Sequence, residues 1–458
     1  MIRFHADNRR DRTCGTILIV AMWIVLVLAG LVLIFARAMR VEAAASANHV
    51  AALQAGAVAQ GALQFALFEI DGSDGAYTPV TGASFEAVQV GEGFFWMLNP
   101  DADEDTSYTY GLRDESSRLN LNLATPEMLL KLPGMTAELA ASIVDWRDPD
   151  SEVTTAGAES EYYLMLPKPY YCKNAPFESV EELLLVKGAT AQMLFGEDAN
   201  RNGVLDNNEN DGSESEPPDN RDGHLDRGLC DYVTVYSREL AQSSGQTGAE
   251  ELVNVNNTGA PALAALLRQA VAPDRFYSLM DRVRGGAPFR SILDFYARTG
   301  LTAEEFVLIA GQITVPITGN MAGRVNVNTA PRAVLLCLPG LEAADADALL
   351  TRRKSPDTDL SNIAWVVGAL TPEKARAIGE YVTVKSYQFS GDIVAVSGDG
   401  RAFRRYRAVL DASNTPPRVL RWDDETRLGW PLAPEILTSM RAGKTPVATT
   451  VITNAGGG

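Results

Sequence analysis

The sequence predicts an α+β protein: one long N-terminal helix laid on an antiparallel sheet, with a large helical domain inserted into that sheet. Three observations predict it. The run TILIVAMWIVLVLAGLVLIF, Thr16 to Phe35, carries no charge, and a proline-free, alanine-rich stretch continues it to Ile70. Short β-prone runs stand near both ends of the chain, over 85–114 and 380–413. Between them, R-x-N-x-N motifs recur, each opening helix–turn–helix segments.

The N-terminal helix comes first. A helix needs about 20 apolar residues to cross the ~30 Å hydrocarbon core, and there its backbone polar groups pair internally. Thr16–Phe35 meets that length. A cleaved signal peptide has a shorter apolar run and a small-residue cleavage site; here Arg37 and Arg40 follow without an A-x-A break. A membrane anchor is the better reading, with the arginines at 3, 9, 10 and 12 keeping the leader cytoplasmic. Beyond it, Leu53, Val58, Leu63, Leu67 and Ile70 recur at near-helical intervals. One continuous helix over 16–70, about 80 Å long at 1.5 Å per residue, accounts for both halves.

DGSDG, from Asp71, ends that helix. FEAVQV, FFWMLN and SYTYGLRD read as sheet strands, which places the first part of the sheet at 71–117. From Arg118 the repeat begins. RLNLNLATPEMLLKLPG and RVNVNTAPRAVLLCLPG match, and LVNVNNTGAPALAALL from Leu252 is a degenerate copy. PFESVEELL, PFRSILDF and DLSNIAWV form a second matching set. Proline at helix starts and glycine past helix ends mark alternating helices and turns, giving an inserted domain over 118–375.

The L-P-G turns at 132–134 and 338–340 are similar to helix-hairpin-helix elements, which bind nucleic-acid backbones through a glycine turn and nearby basic residues. Here the second helices begin MTAELAAS and LEAADADA, acidic or neutral where a phosphate would sit. They read as packing and protein-docking units, with no nucleic acid as partner. The net charge of -18 agrees.

The most specific chemistry lies inside the insert, over 198–231. DANRNGVLDNNE fits the 12-residue calcium loop position by position. Asp198, Asn200 and Asn202 take positions 1, 3 and 5, and Gly203 makes the turn at position 6. Val204 offers its carbonyl at position 7, Asp206 stands at 9 and Glu209 closes the site at 12. Leu205, at position 8, is expected to point into the core. No long helices flank the loop, so a loop without the full EF-hand is expected. A weaker match follows in PDNRDGHLDRGL: Asn220, Asp222, His224 and Asp226 fall at positions 3, 5, 7 and 9. Pro218 and Leu229 stand at its ends and cannot ligate by side chain, so Asp219 or Asp231 must substitute. The expectation is one Ca²⁺, with a second in the weaker loop; the bland alternative is an acidic solvated loop. With three histidines in the chain, His224 reads as a carbonyl donor rather than an imidazole ligand.

Of the four cysteines, Cys14 falls in the leader. Cys172 and Cys230 flank the acidic loops and are placed to form a disulfide if exported, while Cys337 reads as a buried thiol. No G-x-S-x-G, H-E-x-x-H or P-loop motif is present, so no enzymatic activity is expected. After the loops, LCDYVTVYSREL reads as a strand and AQSSGQTGAE as a surface linker. EYVTVKSYQF and the strands after it, over 376–415, complete the sheet, and 416–458 is expected as a C-terminal tail, frayed from Arg441.

The basic leader, the boundary at Gly15 and the long helix together resemble a type IV prepilin, and the sheet is then pilin-like. The resemblance implies that a prepilin peptidase removes residues 1–15 and methylates Thr16. Most prepilins carry Glu at the fifth mature position; here it is Val20. With the R-L-N-L-N and R-V-N-V-N-T-A-P repeats and D-Y-V-T-V-Y-S, that departure resembles the type II secretion minor pseudopilin K family. The resemblance implies a structural subunit at the pseudopilus tip, for export of folded proteins across the outer membrane. It also implies a single pass in the inner membrane, a periplasmic C-terminal domain, and other minor pseudopilins and secreted cargo as partners. Two rival readings are a membrane-tethered helix-hairpin-helix DNA-uptake protein and an unprocessed membrane-anchored scaffold.

Overall fold

The computed structural model describes residues 13–73, 75, 85–104, 107–239, 252–315 and 323–447. Most of the expected leader, the linker at 241–250 and the last residues of the tail lie outside them.

Helix α1 (Thr13–Ile70) spans 58 residues and passes through Gly15 and Thr16 without a break. Among the described residues it is the one helix long and apolar enough to cross a membrane. Its first half exposes every large apolar side chain, Leu33 at 71%. Its second half is buried along one stripe, through Ala51, Ala55, Val58, Ala59, Ala62, Leu63, Ala66 and Ile70. Alanines dominate that stripe and let the helix lie close on the sheet. Leu53, expected to face inward, is 62% exposed; the alanines set the buried face instead.

Thirteen strands follow in the described residues. The first four are β1 (Val88–Val90), β2 (Gly93–Pro100), β3 (Tyr108–Tyr110) and β4 (Arg113–Asp114). Within the insert come β5 (Leu119–Asn120), β6 (Val233–Thr234), β7 (Val253–Asn254), β8 (Ile313–Thr314), β9 (Val325–Asn326) and β10 (Val382–Thr383). The last three are β11 (Gln388–Val396), β12 (Phe403–Asp411) and β13 (Arg418–Asp424). The main sheet runs β1-β2-β11-β12-β13, with β3 on β2 and β4 on β11. All its pairings are antiparallel. Side chains alternate across a strand. Phe95, Met97, Ile393 and Ala395 face α1. Phe94, Trp96, Leu98, Val394 and Val396 form the opposite core with Leu432 and Met440.

The expected tail therefore does two jobs. Residues 418–424 are the edge strand, and Pro434–Arg441 is a helix covering the second face of the sheet. Sparse apolar residues hid this: Leu432, Ile436, Leu437 and Met440 suffice once Trp96 and Trp430 meet edge to face at 6.0 Å.

The insert has one continuous core running from Leu119 to Val382. Its three motif copies share one construction. Each R/L-x-N segment pairs in parallel with a short segment later in the chain: β5 with β6, β7 with β8, β9 with β10. The last asparagine of each motif then clamps the second matching set. Asn122 exchanges hydrogen bonds with the Phe177 backbone, Asn256 with Phe289, and Asn328 donates to the Leu360 carbonyl. The expected strands LCDYVTVYSREL and EYVTVKSYQF are thus only two-residue bridges at Val233 and Val382. Their parallel partners are equally short, and the sheet resumes only at Gln388.

The L-P-G turns place Gly134 and Gly340 at φ of 68° and 74°, where glycine bears no Cβ penalty. The two turns meet each other: Lys131 Nζ donates to the Leu338 carbonyl at 3.1 Å. Where β4 meets the insert, Asp114 is buried and accepts from Ser116 N, Asn326 Nδ2, Thr329 Oγ1 and Ser386 Oγ. Burial pushes its carboxyl above the usual range against those bonds.

Candidate metal centre

The residues of the stronger loop converge. Asp198 accepts from Asn202 N at 3.1 Å and Gly203 N at 2.8 Å. Asn202 N and Val204 N bond the side-chain oxygens of Asn200 and Asn202, at 2.9 and 2.8 Å. Asn200 and Asn202 both turn toward Asp206 Oδ2, at 2.6 and 3.2 Å. Glu209 folds back to take Ala199 N at 2.8 Å and Asp206 N at 3.0 Å. Asp198 and Glu209 are 7% and 1% exposed. Burial, then the charge of Asp231, raises Asp198 to about 6. Burial first, with Asp198 adding, raises Glu209 to about 7.

The flanks are a five-residue helix, Ala191–Phe195, and a single 3-10 turn, Asn207–Glu209. The loop is instead held by the sheet. Arg405, fully buried, pairs with Asp392 and donates to the Asn200 and Arg201 carbonyls. Asn202 Nδ2 reaches the Pro431 carbonyl at 3.1 Å. Gly203, at φ 75°, lies so close to Pro100 that a Cβ would sit 2.3 Å from it. Leu205 is half-buried rather than part of the core.

The weaker loop repeats the same turn twenty positions on. Arg221 and Gly223 share the left-handed φ of Arg201 and Gly203. Asp222 N bonds Asn220 Oδ1, His224 N bonds Asp222 Oδ1, and Asn220 Nδ2 bonds Asp226 Oδ2 at 3.0 Å. Its ends differ from expectation. Asp219 is turned away to Asp211 N, Gly212 N and Arg221 N. Asp231 is committed to Arg113 and Arg227. In their place, Asn210 Oδ1 takes Gly223 N at 3.2 Å, as Asp198 takes Gly203 N. Glu197 Oε1 takes Asp226 N at 2.7 Å, as Glu209 takes Asp206 N. Glu197 is 3% exposed, and burial first, then Asp226, pushes its carboxyl up. Neither residue falls within the twelve-residue window, so the linear pattern could not show them.

The donors in both loops are carboxylate, amide and backbone oxygens. They suit a hard cation such as Ca²⁺, which takes six to eight oxygens. The thiols are elsewhere. Cys172, Cys230 and Cys337 are all free. The expected Cys172–Cys230 bond is absent because the two face different neighbours. Cys172 lies against the Asp145 carbonyl at 3.6 Å; Cys230 is half-buried beside Asp231.

Residues 104–195 match the family model for type II secretion system (T2SS), protein K. That stretch holds the first R-L-N-L-N motif and the first L-P-G turn. No curated protein matches the sequence. Among solved structures, a chain of the GspK-GspI-GspJ complex from the enterotoxigenic Escherichia coli type 2 secretion system aligns at 13% identity and a TM-score of 0.40. The alignment covers 81% of this chain and 96% of that one.

Proposed function

We propose that this chain, whose residues 104–195 match the type II secretion system protein K family, is a minor pseudopilin of that system and takes a tip position in the pseudopilus. The observation that carries the tip reading is Val20 on a membrane-length helix. A subunit stacked above would present an N-terminal ammonium with no acid here to receive it. The bulk of the insert supports the same reading, since it hangs from β4 and β11 at one end of the sheet.

In this reading the chain is anchored in the inner membrane, with everything beyond α1 in the periplasm. A prepilin peptidase cuts after Gly15, and Thr16 becomes the methylated N-terminus. Its partners are other minor pseudopilins, of the kinds named with GspK, and secreted cargo passes the tip. The chain is a structural subunit and not an enzyme. Ca²⁺ fills the loop at Asp198–Glu209 and a second loop closed by Asn210 and Glu197; the mirrored turns support this.

Mass spectrometry of the native protein tests the processing. A mature chain starting at methylated Thr16 is expected, and one starting at Met1 overturns it. Gold labelling of isolated pseudopili tests the position: label at one end is expected, and label along the shaft sinks the tip reading.

A further inference from the structure

A small cavity of about 20 Å³ lies where the insert meets the sheet. Arg407 reaches it from β12 and Arg421 from β13. From the insert come Arg118, and Cys230 and Tyr236 on either side of β6. A space of that size admits one atom about as large as a water oxygen.

Donors gather at this cavity without acceptors. Arg118 is 1% exposed. Its Nη atoms are engaged by the Cys230 carbonyl, Glu115 and Ser390, but its Nε has no partner among the described residues. Arg407 is half-buried, and its guanidinium makes no hydrogen bond or ion pair among the described residues; Glu425, Glu115 and Glu181 act on it through charge alone. Tyr236 Oη accepts from Arg421 Nη1 at 2.9 Å, which leaves its own proton to give. Burial around the Cys230 sulfur, then the charge of Asp231, pushes the thiol up to about 12, so the S–H is kept as well.

The carboxylates at the wall are engaged elsewhere. Glu115 is taken by Arg118 and Thr234 Oγ1. Glu181 and Asp423 both pair with Arg421. Arg201, also at the wall, pairs with Glu425 at 3.4 Å. Arg421 therefore holds two carboxylates and Arg407 holds none. A guanidinium has only hydrogens to offer, and one withdrawn from water without an acceptor is costly.

We propose that this cavity is a halide site that takes chloride, held by Arg407, Arg118 Nε, the Tyr236 hydroxyl and the Cys230 thiol. Chloride accepts from every direction and brings no hydrogen that needs an acceptor of its own, as a water does. Tetrahedral oxyanions such as sulfate and phosphate are too large for the space. The ligands come from β12 and from two stretches of the insert, so the ion would strengthen the docking of the insert on the sheet.

The test is the melting temperature of the full-length chain in detergent, in sodium chloride and in sodium gluconate at equal ionic strength and equal Ca²⁺. Chloride is expected to raise the parent's melting temperature by about 2 °C or more over gluconate, and bromide to do the same. Arg407→Gln and Tyr236→Phe are each expected to lose at least half of that rise. Arg404→Gln, which strand alternation puts on the opposite face of β12, is expected to keep it. Tyr236→Phe retains the ring and removes only the hydroxyl, so it serves if Arg407→Gln does not fold. A parent that melts alike in the two salts overturns the site. A rise of which a folded Arg407→Gln or Tyr236→Phe keeps more than half overturns it too, and belongs to salt acting at the surface.

Discussion

Asn122 and Phe177 hold each other across 55 residues of chain: Asn122 Nδ2 donates to the Phe177 carbonyl at 3.0 Å, and Phe177 N donates back to Asn122 Oδ1 at 2.7 Å. Asn256 and Phe289 repeat the exchange at 2.9 and 2.6 Å. The amide side chain serves as a peptide group and closes each repeat where no strand does.

Loss of that exchange strands two backbone groups at once. Asn256→Ala should cost about 1–3 kcal/mol. Asn256→Asp keeps the acceptor but not the donor, and should cost an amount between the parent and alanine. Denaturant unfolding checks both, and an alanine variant as stable as the parent would refute the clamp.

Cation removal should lower the melting temperature. At free Ca²⁺ of about a hundred times Kd, a site adds about 2.7 kcal/mol to stability. Glu197→Gln should weaken only the loop at 220–226, and Glu209→Gln only the loop at 198–209. Calorimetric titration of each variant decides this. A Glu197→Gln variant with unaltered binding would return the weaker loop to a plain turn.

Two glycines at the same loop position differ in their surroundings. Gly203 and Gly223 both have positive φ, at 75° and 80°. A Cβ on Gly203 strikes Pro100 at 2.3 Å, whereas one on Gly223 meets nothing within 4 Å. Gly223→Ala should therefore cost about 1 kcal/mol for its backbone alone, and Gly203→Ala clearly more. Thermal melts of the pair in Ca²⁺ check the order.

Acid should release Asp411. Burial pushes its carboxyl up, but Ser413, Gln388 and Arg238 outweigh that and hold it below the usual carboxylate range. Such a group stabilises the fold above its unfolded pKa, and the contribution is lost as pH falls through the folded value. The window lies below about pH 4. Asp411→Asn should be less stable at neutral pH and lose less on acidification there. Parallel stability curves for the variant and parent across that window would contradict this.

Much of this was legible from short windows of sequence. The uncharged run at 16–35 predicts α1, and the aromatic-rich run FFWMLN predicts a strand, which the structure buries on both faces. The stronger loop shows its candidate ligands in order because all of them lie within twelve residues. The D-Y-V-T-V run forms only a two-residue strand because β propensity reports a side chain's fit to a pleated surface, not the length of the partner. Leu119–Asn120 offers only two residues to pair with.

By itself, then, the sequence determined the features that neighbouring residues settle among themselves: the apolar span, the helix caps and turns, the three R/L-x-N motifs and the loop at 198–209. Tertiary structure alone decided which distant groups meet. It brought Glu197 and Asn210 to Asp226 and Gly223, turned Lys131 onto the second L-P-G turn, and made 418–424 the sheet's edge. Backbone torsions and helical or strand periodicity act over a few residues, whereas these partners are chosen when separate surfaces close on one another and must satisfy the polar groups they bury.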